Sequence, residues 1–329
     1  MQFNSINGND LLNLSLQNFE RTAINLYHYQ YEHNELYRGY NEALKINPTQ
    51  IHRLEQIPFL PISFFKSHQV KCFAGLQEEV IFDSSGTSGM IPSKHYVLDS
   101  TLYNEVSFFG FEQVYGAAKD WVILALLPSY LERKTSSLVH MAKMLMDKSG
   151  HEENGFYLNE YAALYQKLME LSGQHKKVLL LGVTFALLDF AEQYPMDLNG
   201  VVVMETGGMK GRQAEWTRAQ VHEFLTKQWR IPNVHSEYGM TELLSQAYAP
   251  SQGVFHPIPT MKVLIRELDD PLETKPYGNG VLNVIDLANV HSCAFIATED
   301  LGKVNADGSF EVLGRMDFAA LRGCSLLAV

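Results

Sequence analysis

Apolar residues recur along this chain with three successive rhythms. Leu11, Leu12, Leu14, Leu16 and Phe19 open a helical spacing, and a Tyr- and His-rich stretch from Ala23 to Ile46 continues it. Pro48, Pro58 and Pro61 then break helices, and the apolar run Phe59 to Phe65 reads as extended. From residue 80 the pattern switches to short apolar runs alternating with helical segments. Strands are predicted at Val80–Phe82, Trp121–Leu127, Lys177–Gly182, Val201–Met204 and Asn233–His235. Helices are predicted at Ser100–Val114, Ser137–Met146, Glu160–Leu171, Phe185–Gln193 and Ala214–Trp229. Such alternation implies a parallel sheet covered on both faces. After about residue 250 the third rhythm begins. Met261–Ile265, Gly280–Ile285, Ala294–Ala297 and Phe310–Leu313 read as strands parted by turn residues, an antiparallel arrangement. The chain is therefore expected to be α/β, with a helical segment over 1–79, an α/β core over 80–250 and a β subdomain over 251–329.

Composition narrows the function classes. With 329 residues, 46% of them hydrophobic, the chain can bury a large core. The net charge is -11 and no Lys/Arg cluster interrupts it, which disfavours nucleic acid and anionic membranes as partners. No run approaches the roughly 20 apolar residues of a membrane span, and the first residues lack a signal-peptide pattern. Cys72, Cys293 and Cys324 are scattered and odd in number, against a disulfide framework or a zinc site. A cytoplasmic location is the expectation.

Four segments carry candidate chemistry. Asp83-Ser84-Ser85-Gly86-Thr87-Ser88-Gly89 is dense in glycine and hydroxyls, a composition that lets backbone and side-chain donors approach a phosphate. It is neither a Walker loop nor a Rossmann turn, and composition alone leaves a polar surface loop equally open. Ser236-Glu237-Tyr238-Gly239-Met240-Thr241-Glu242 follows a strand, where a ligand crevice can form in parallel sheets; taken alone, it reads rather as an ordinary loop. Thr298-Glu299-Asp300-Leu301-Gly302 and Gly314-Arg315-Met316-Asp317, each taken alone, read as turns between strands.

Together and in this order, these segments resemble the motifs of the adenylate-forming superfamily: acyl-CoA synthetases, luciferases and nonribosomal-peptide adenylation domains. Ile57-Pro58-Phe59-Leu60-Pro61, Leu127 to Arg133, Glu205-Thr206-Gly207-Gly208-Met209-Lys210-Gly211 and Arg322-Gly323-Cys324-Ser325-Leu326 resemble the acyl-protein synthetase (LuxE) branch. The resemblance implies the superfamily's large α/β domain and an acid activated by ATP with Mg²⁺. It implies that Ser84, Ser85, Gly86, Thr87, Ser88 and Gly89 hold phosphates, that Gly207 and Gly208 lie against adenine, and that Tyr238 stacks on it. Thr241 would contact phosphate, Glu242 would help hold Mg²⁺, Asp300 would bind the ribose hydroxyls and Arg315 would assist there. Glu299 replaces the family's middle glycine, and Ser93 displaces the loop lysine to Lys94. The chain ends twelve residues after Asp317, so the mobile lid domain and its lysine are expected to be absent.

Enzymes of the LuxE branch carry the acyl group on a cysteine near the C-terminus, and Cys324 matches that place; a buried structural thiol is the open alternative. Cys72 and Cys293 read as structural. His28 and His33 are spaced for helix packing rather than metal binding, and His140 reads as a hydrogen-bonded core histidine. The expected activity is acid activation, a fatty acid foremost, followed by transfer to a thiol. Two alternatives stand beside it: ligation to coenzyme A or a carrier protein, and a non-catalytic nucleotide-binding subunit partnered with an acyl-CoA reductase.

Overall fold

The structure is a computed structural model that describes residues 11–12, 14–73, 75–84, 91–128, 135–207 and 216–316. It opens with helices α1 (Leu16–His33) and α2 (Glu35–Ala43), a short strand β1 (Leu60–Pro61) and one helical turn, α3 (Phe64–Ser67). Strands β2 (Val80–Asp83) and β3 (Lys94–Val97) form an antiparallel hairpin. Helix α4 (Ser100–Tyr115) follows, its first turn capped by the Asp99 carboxylate.

Next come β4 (Trp121–Leu126), α5 (Ser137–Ser149), β5 (Gly155–Tyr157), α6 (Tyr161–Ser172), β6 (Lys177–Val183), α7 (Thr184–Gln193), β7 (Val201–Thr206), α8 (Arg218–Trp229) and β8 (His235–Tyr238). Strands β5-β4-β6-β7-β8 are neighbours in that order and parallel. Their sequences dictate this. All six residues of β4 are buried, as are Val178 to Val183 of β6, the signature of strands covered on both faces by crossover helices.

The sheet then changes sense without a break. β9 (Ala247–Ala249) pairs antiparallel with β8, and β10 (Val254–Pro257) with β9. β11 (Met261–Arg266), β12 (Thr274–Lys275), β13 (Gly278–Asp286), β14 (Phe295–Val304) and β15 (Phe310–Arg315) complete a mixed sheet of 13 strands, with β1 added parallel to β14. The N-terminal helices brace this half. Gln30 donates to the carbonyls of Asn289 and Val290 at 2.7 and 3.0 Å and accepts from the Ala294 N–H. Asn34 donates to the Ser292 carbonyl, and Tyr37 stacks on Phe295. The β13–β14 turn is thereby fixed.

Three expectations are corrected. Thr298 to Gly302 is not a turn; it lies inside β14, and Gly314 and Arg315 end β15. Residues that look like turn formers are here absorbed by register shifts in the β13–β14–β15 ladder. Phe59 to Phe65 is extended only at Leu60–Pro61 before α3 begins. The helix expected from Ala214 begins at Arg218, because Thr217 and Gln220 form a capping box that sets its start. No helix among the described residues is long and apolar enough to cross a membrane.

Candidate functional site

The carboxyl ends of β7 and β8 gather the candidate residues from both halves of the sheet. Tyr238, last residue of β8, donates its phenol O–H to Asp300 Oδ2 at 2.9 Å. Arg315 Nε donates to Asp300 Oδ1 at 3.3 Å from the paired position on β15. A carboxylate has about four acceptor sites, so Asp300 keeps capacity for further donors. Asp300 is 6% exposed, whereas the Arg315 side chain is 76% exposed. Burial, then the Asp300 charge, holds the Tyr238 phenol well above its usual range, so the phenol remains a donor. Its ring is pinned edge-on by Phe310 and Phe255. Thr298 donates to the Leu282 carbonyl and accepts from the Asp300 N–H at 3.1 Å, which fixes the carboxylate's approach.

The turn after Tyr238 is locked by its backbone. His95 Nδ1 lies 2.8 Å from the Thr241 carbonyl; a carbonyl only accepts, so Nδ1 carries the proton. Burial pulls the His95 pKa down to about 4, and the ring is neutral. Asn289 donates to the Glu242 carbonyl at 2.7 Å. Asp286 accepts from the N–H groups of Leu244, Ser245 and Ala288 and from the Ser245 hydroxyl, at 2.5 to 3.0 Å. The Glu242 side chain is 5% exposed. Burial raises its carboxyl, opposed by the Ser93 hydroxyl and by the Arg315 and Lys66 charges.

Ser84 and Ser93 close the base of the hydroxyl-rich loop: the Ser93 N–H donates to Ser84 Oγ at 2.8 Å, and the Ser84 N–H to the Ser93 carbonyl. Ser84 Oγ keeps its own proton to donate. Gly207 follows β7 at φ +74°, a backbone state that favours glycine. Thr184 donates to its carbonyl and to Glu205 Oε2. On that same face Arg218 donates to Glu205 Oε1 at 3.0 Å, and His222 lies 3.6 Å from it.

Among known proteins, the family model described as "Acyl-protein synthetase, LuxE" matches residues 15–105. The long-chain-fatty-acid–luciferin-component ligase of Aliivibrio fischeri is 23% identical over 335 residues, covering 91% of this chain and 85% of its own. The chain is LuxE-like. A crystal structure of 2-hydroxyisobutyryl-CoA ligase superposes on this LuxE-like chain with a TM-score of 0.67 at 13% identity, over 91% of this chain and 74% of the other. A long-chain-fatty-acid-CoA ligase from Archaeoglobus fulgidus gives 0.50 at 15% identity, over 75% and 53%. These likenesses establish the fold of adenylate-forming ligases.

In the LuxE-like chain, then, Tyr238, Asp300 and Arg315 are brought into direct contact. Thr241 and Glu242 occupy the adjoining turn, with Ser93, the partner of Ser84, beside Glu242. Ser85, Gly86, Thr87, Ser88, Gly89, Gly208 and Cys324 lie outside the described residues. His140 is hydrogen-bonded to Asn104. His33 stacks on Tyr29, and no group of three or more His, Cys, Asp or Glu among the described residues is placed to hold a metal ion. Sequence reasoning missed His95, Asp286 and Asn289, and gave Glu205 and Glu237, though inside quoted segments, no role. A charged residue inside a strand of buried neighbours is the signal that could have found Glu237.

Proposed function

We propose that this chain uses ATP to activate a carboxylic acid, a long-chain fatty acid being the expected class, as an acyl-adenylate, and passes the acyl group to a thiol. The observation that carries the reading is Asp300, nearly buried and gripped by Tyr238 and Arg315, beside the locked Thr241–Glu242 turn. The Asp300 oxygens accept the ribose hydroxyls of ATP, and Tyr238 borders the adenine with Gly207 and Gly208. Arg315 assists at the ribose. Thr241 and the loop from Ser84 to Gly89 donate to phosphate oxygens.

A single buried carboxylate suits Mg²⁺, which is commonly held by one or two carboxylates with phosphate oxygens and water completing its shell. Glu242 fits that habit, and its burial-raised carboxyl gains an opposite charge when the ion binds. Bound Mg²⁺ supplies neutralisation of phosphate charge. In the first step the acid's carboxylate oxygen attacks the α-phosphorus, forming a P–O bond while pyrophosphate leaves. Fixed donors stabilise the charge that develops. In the second, a thiolate attacks the acyl carbon, AMP leaves and a thioester forms, the thiol proton passing to solvent.

Cys72 and Cys293 are poor acceptors. Both are buried, and burial pushes the Cys293 thiol up to about 12 and raises that of Cys72. That leaves Cys324, or the thiol of coenzyme A or of a carrier protein. Acid-dependent exchange of pyrophosphate into ATP tests the first step. Labelled acyl transfer to wild type but not to Cys324→Ser tests the second. Thioester on added coenzyme A with unlabelled protein would move the acceptor off the chain. Exchange appearing only with an acyl-CoA reductase present would make the chain a partner-dependent subunit.

A further inference from the structure

The face of β7, β8 and β9 beneath helix α4 carries a polar row in an otherwise apolar interior. Thr206, Glu237 and Tyr248 are direct cross-strand partners, so their side chains stand side by side on one face. Thr206 donates its hydroxyl to Glu237 Oε2. Gln246, just before β9, borders the row: its Cγ and Glu237 Oε1 both meet the position of a Cβ built on Gly239. Tyr248 is 1% exposed and Gln246 3%, yet the Tyr248 phenol and Gln246 Oε1 have no hydrogen-bond partner. Buried polar atoms are paired in the great majority of cases, so two orphans at this row call for a ligand.

α4 roofs the row. A Cβ built on Gly110 would lie 3.6 Å from the Tyr248 ring, and the Tyr115 ring sits 5.6 Å from it. Burial, and after it the Glu237 charge, raises the phenols of Tyr103, Tyr115 and Tyr248. The row adjoins the turn that follows Tyr238. Thr206 immediately precedes Gly207, and Glu237 immediately precedes Tyr238. A Cβ on Gly239 would collide with Glu237 Oε1 and lie 3.6 Å from Gln246 Cγ, so both side chains stand against that turn and only glycine leaves them room.

Resting on the acid-activation reading, we propose that Glu237, Tyr248 and Gln246 form a polar subsite that binds a hydroxyl group near the carboxyl end of the acid, selecting a 2- or 3-hydroxy acid over the unsubstituted one. A hydroxyl both donates and accepts. It can donate to the Gln246 carbonyl oxygen and accept from the Tyr248 phenol, whereas an ammonium only donates and leaves the Tyr248 O–H proton without an acceptor. Burial, and then the neighbouring Glu205 charge, raise the Glu237 carboxyl to about 7, which suits a neutral partner better than a cation.

The test is pyrophosphate exchange with matched acids of one chain length: unsubstituted, 2-hydroxy and 3-hydroxy. One hydroxy acid is expected to exceed the parent in kcat/KM by about tenfold, the usual scale of one buried hydrogen bond. Glu237→Gln and Tyr248→Phe are each expected to bring that ratio toward one. The ratio is taken within each variant, so a partly unfolded preparation does not alter it. A wild-type ratio of one or below, or a ratio that survives both substitutions, overturns the subsite while leaving acid activation intact. Exchange with no acid at all overturns the activation reading instead. The melting-temperature shift with the same acid pair then decides the subsite: a larger shift with the hydroxy acid, lost in both variants, supports it, and equal shifts overturn it.

Discussion

Glu205 and Glu237 lie on neighbouring strands, on opposite faces of one sheet, and the sheet treats them in opposite ways. Glu205, 3% exposed, meets α8. Burial pushes its carboxyl up, but His222, Arg218 and Ser236 together pull it down to about 2. Arg218 also donates to the Val312 carbonyl and lies over the Phe255 ring, so this carboxylate is the centre of a clasp between the parallel and antiparallel halves. Glu237, 7% exposed, meets α4, where no cation answers it, and its carboxyl rises to about 7. A buried charge with every partner in place is architecture. A buried carboxyl facing orphaned hydrogen-bonding atoms is a site, since perturbed groups of that kind gather where ligands bind.

The comparison can be broken most severely through pH. The folded chain keeps the Glu237 proton to about pH 7, whereas the unfolded chain releases it near the model-peptide value of about 4.3. Across that window the unfolded state binds fewer protons, so stability falls as pH rises, by about 4 kcal/mol. Glu205 does the reverse: its contribution is complete above the unfolded value and is lost as pH falls toward about 2. His95 and His235, each held neutral to about pH 4 in the folded chain, add an opposite slope to both proteins, so the difference in unfolding free energy between wild type and Glu237→Gln should decline from about pH 4 to 8; a difference that does not change with pH would contradict the shift. Next in size is the clasp. Glu205→Ala leaves the part-exposed Arg218 and His222 without their carboxylate and is expected to cost about 2–3 kcal/mol, below the scale of about 3–5 kcal/mol for a fully buried pair. Denaturant unfolding measures it, and a loss below about 1 kcal/mol would show that the two faces do not differ.

A smaller effect is expected at Gly239. Gly239→Ala drives a methyl into the Glu237 carboxyl and should cost about 1–3 kcal/mol, the usual penalty of overpacking. Much of that cost should vanish when Glu237→Ser is added, and strict additivity of the pair would contradict the contact. The smallest effect is at Tyr248→Phe. Its hydroxyl has no partner to lose, so stability should change by less than about 0.5 kcal/mol or rise, in contrast to Tyr27→Phe, which breaks a buried 2.9 Å bond to Asn41.

Much of this architecture was legible in the sequence, and the reasons for the gaps are physical. β4, β6 and β7 announce themselves as unbroken apolar runs because crossover helices cover both faces. β9 is three residues, Ala-Tyr-Ala, too short to carry a period. Thr298 to Gly302 looked like a turn because glycine and aspartate break strands by propensity, yet pairing on both sides holds that segment extended. Tyr238, Thr241, Glu242, Asp300 and Arg315 could be named from their motif order. The roles of Glu205 and Glu237 could not, because each depends on which residues face it from other strands and helices, and local spacing holds no record of cross-strand partners. Asp286 was hidden for the same reason: four of its hydrogen bonds include three to residues more than forty positions away.

The central claim, that the candidate site forms an acyl-adenylate, is tested most directly by acid-dependent exchange of labelled pyrophosphate into ATP by wild type and Asp300→Ala. The account predicts exchange that requires both an added carboxylic acid and Mg²⁺, and a fall of at least about a hundredfold in kcat/KM for ATP in the variant, the equivalent of about 3 kcal/mol of lost ribose and arginine contacts. Wild-type exchange that ignores the acid, or an Asp300→Ala variant as active as wild type, would contradict it.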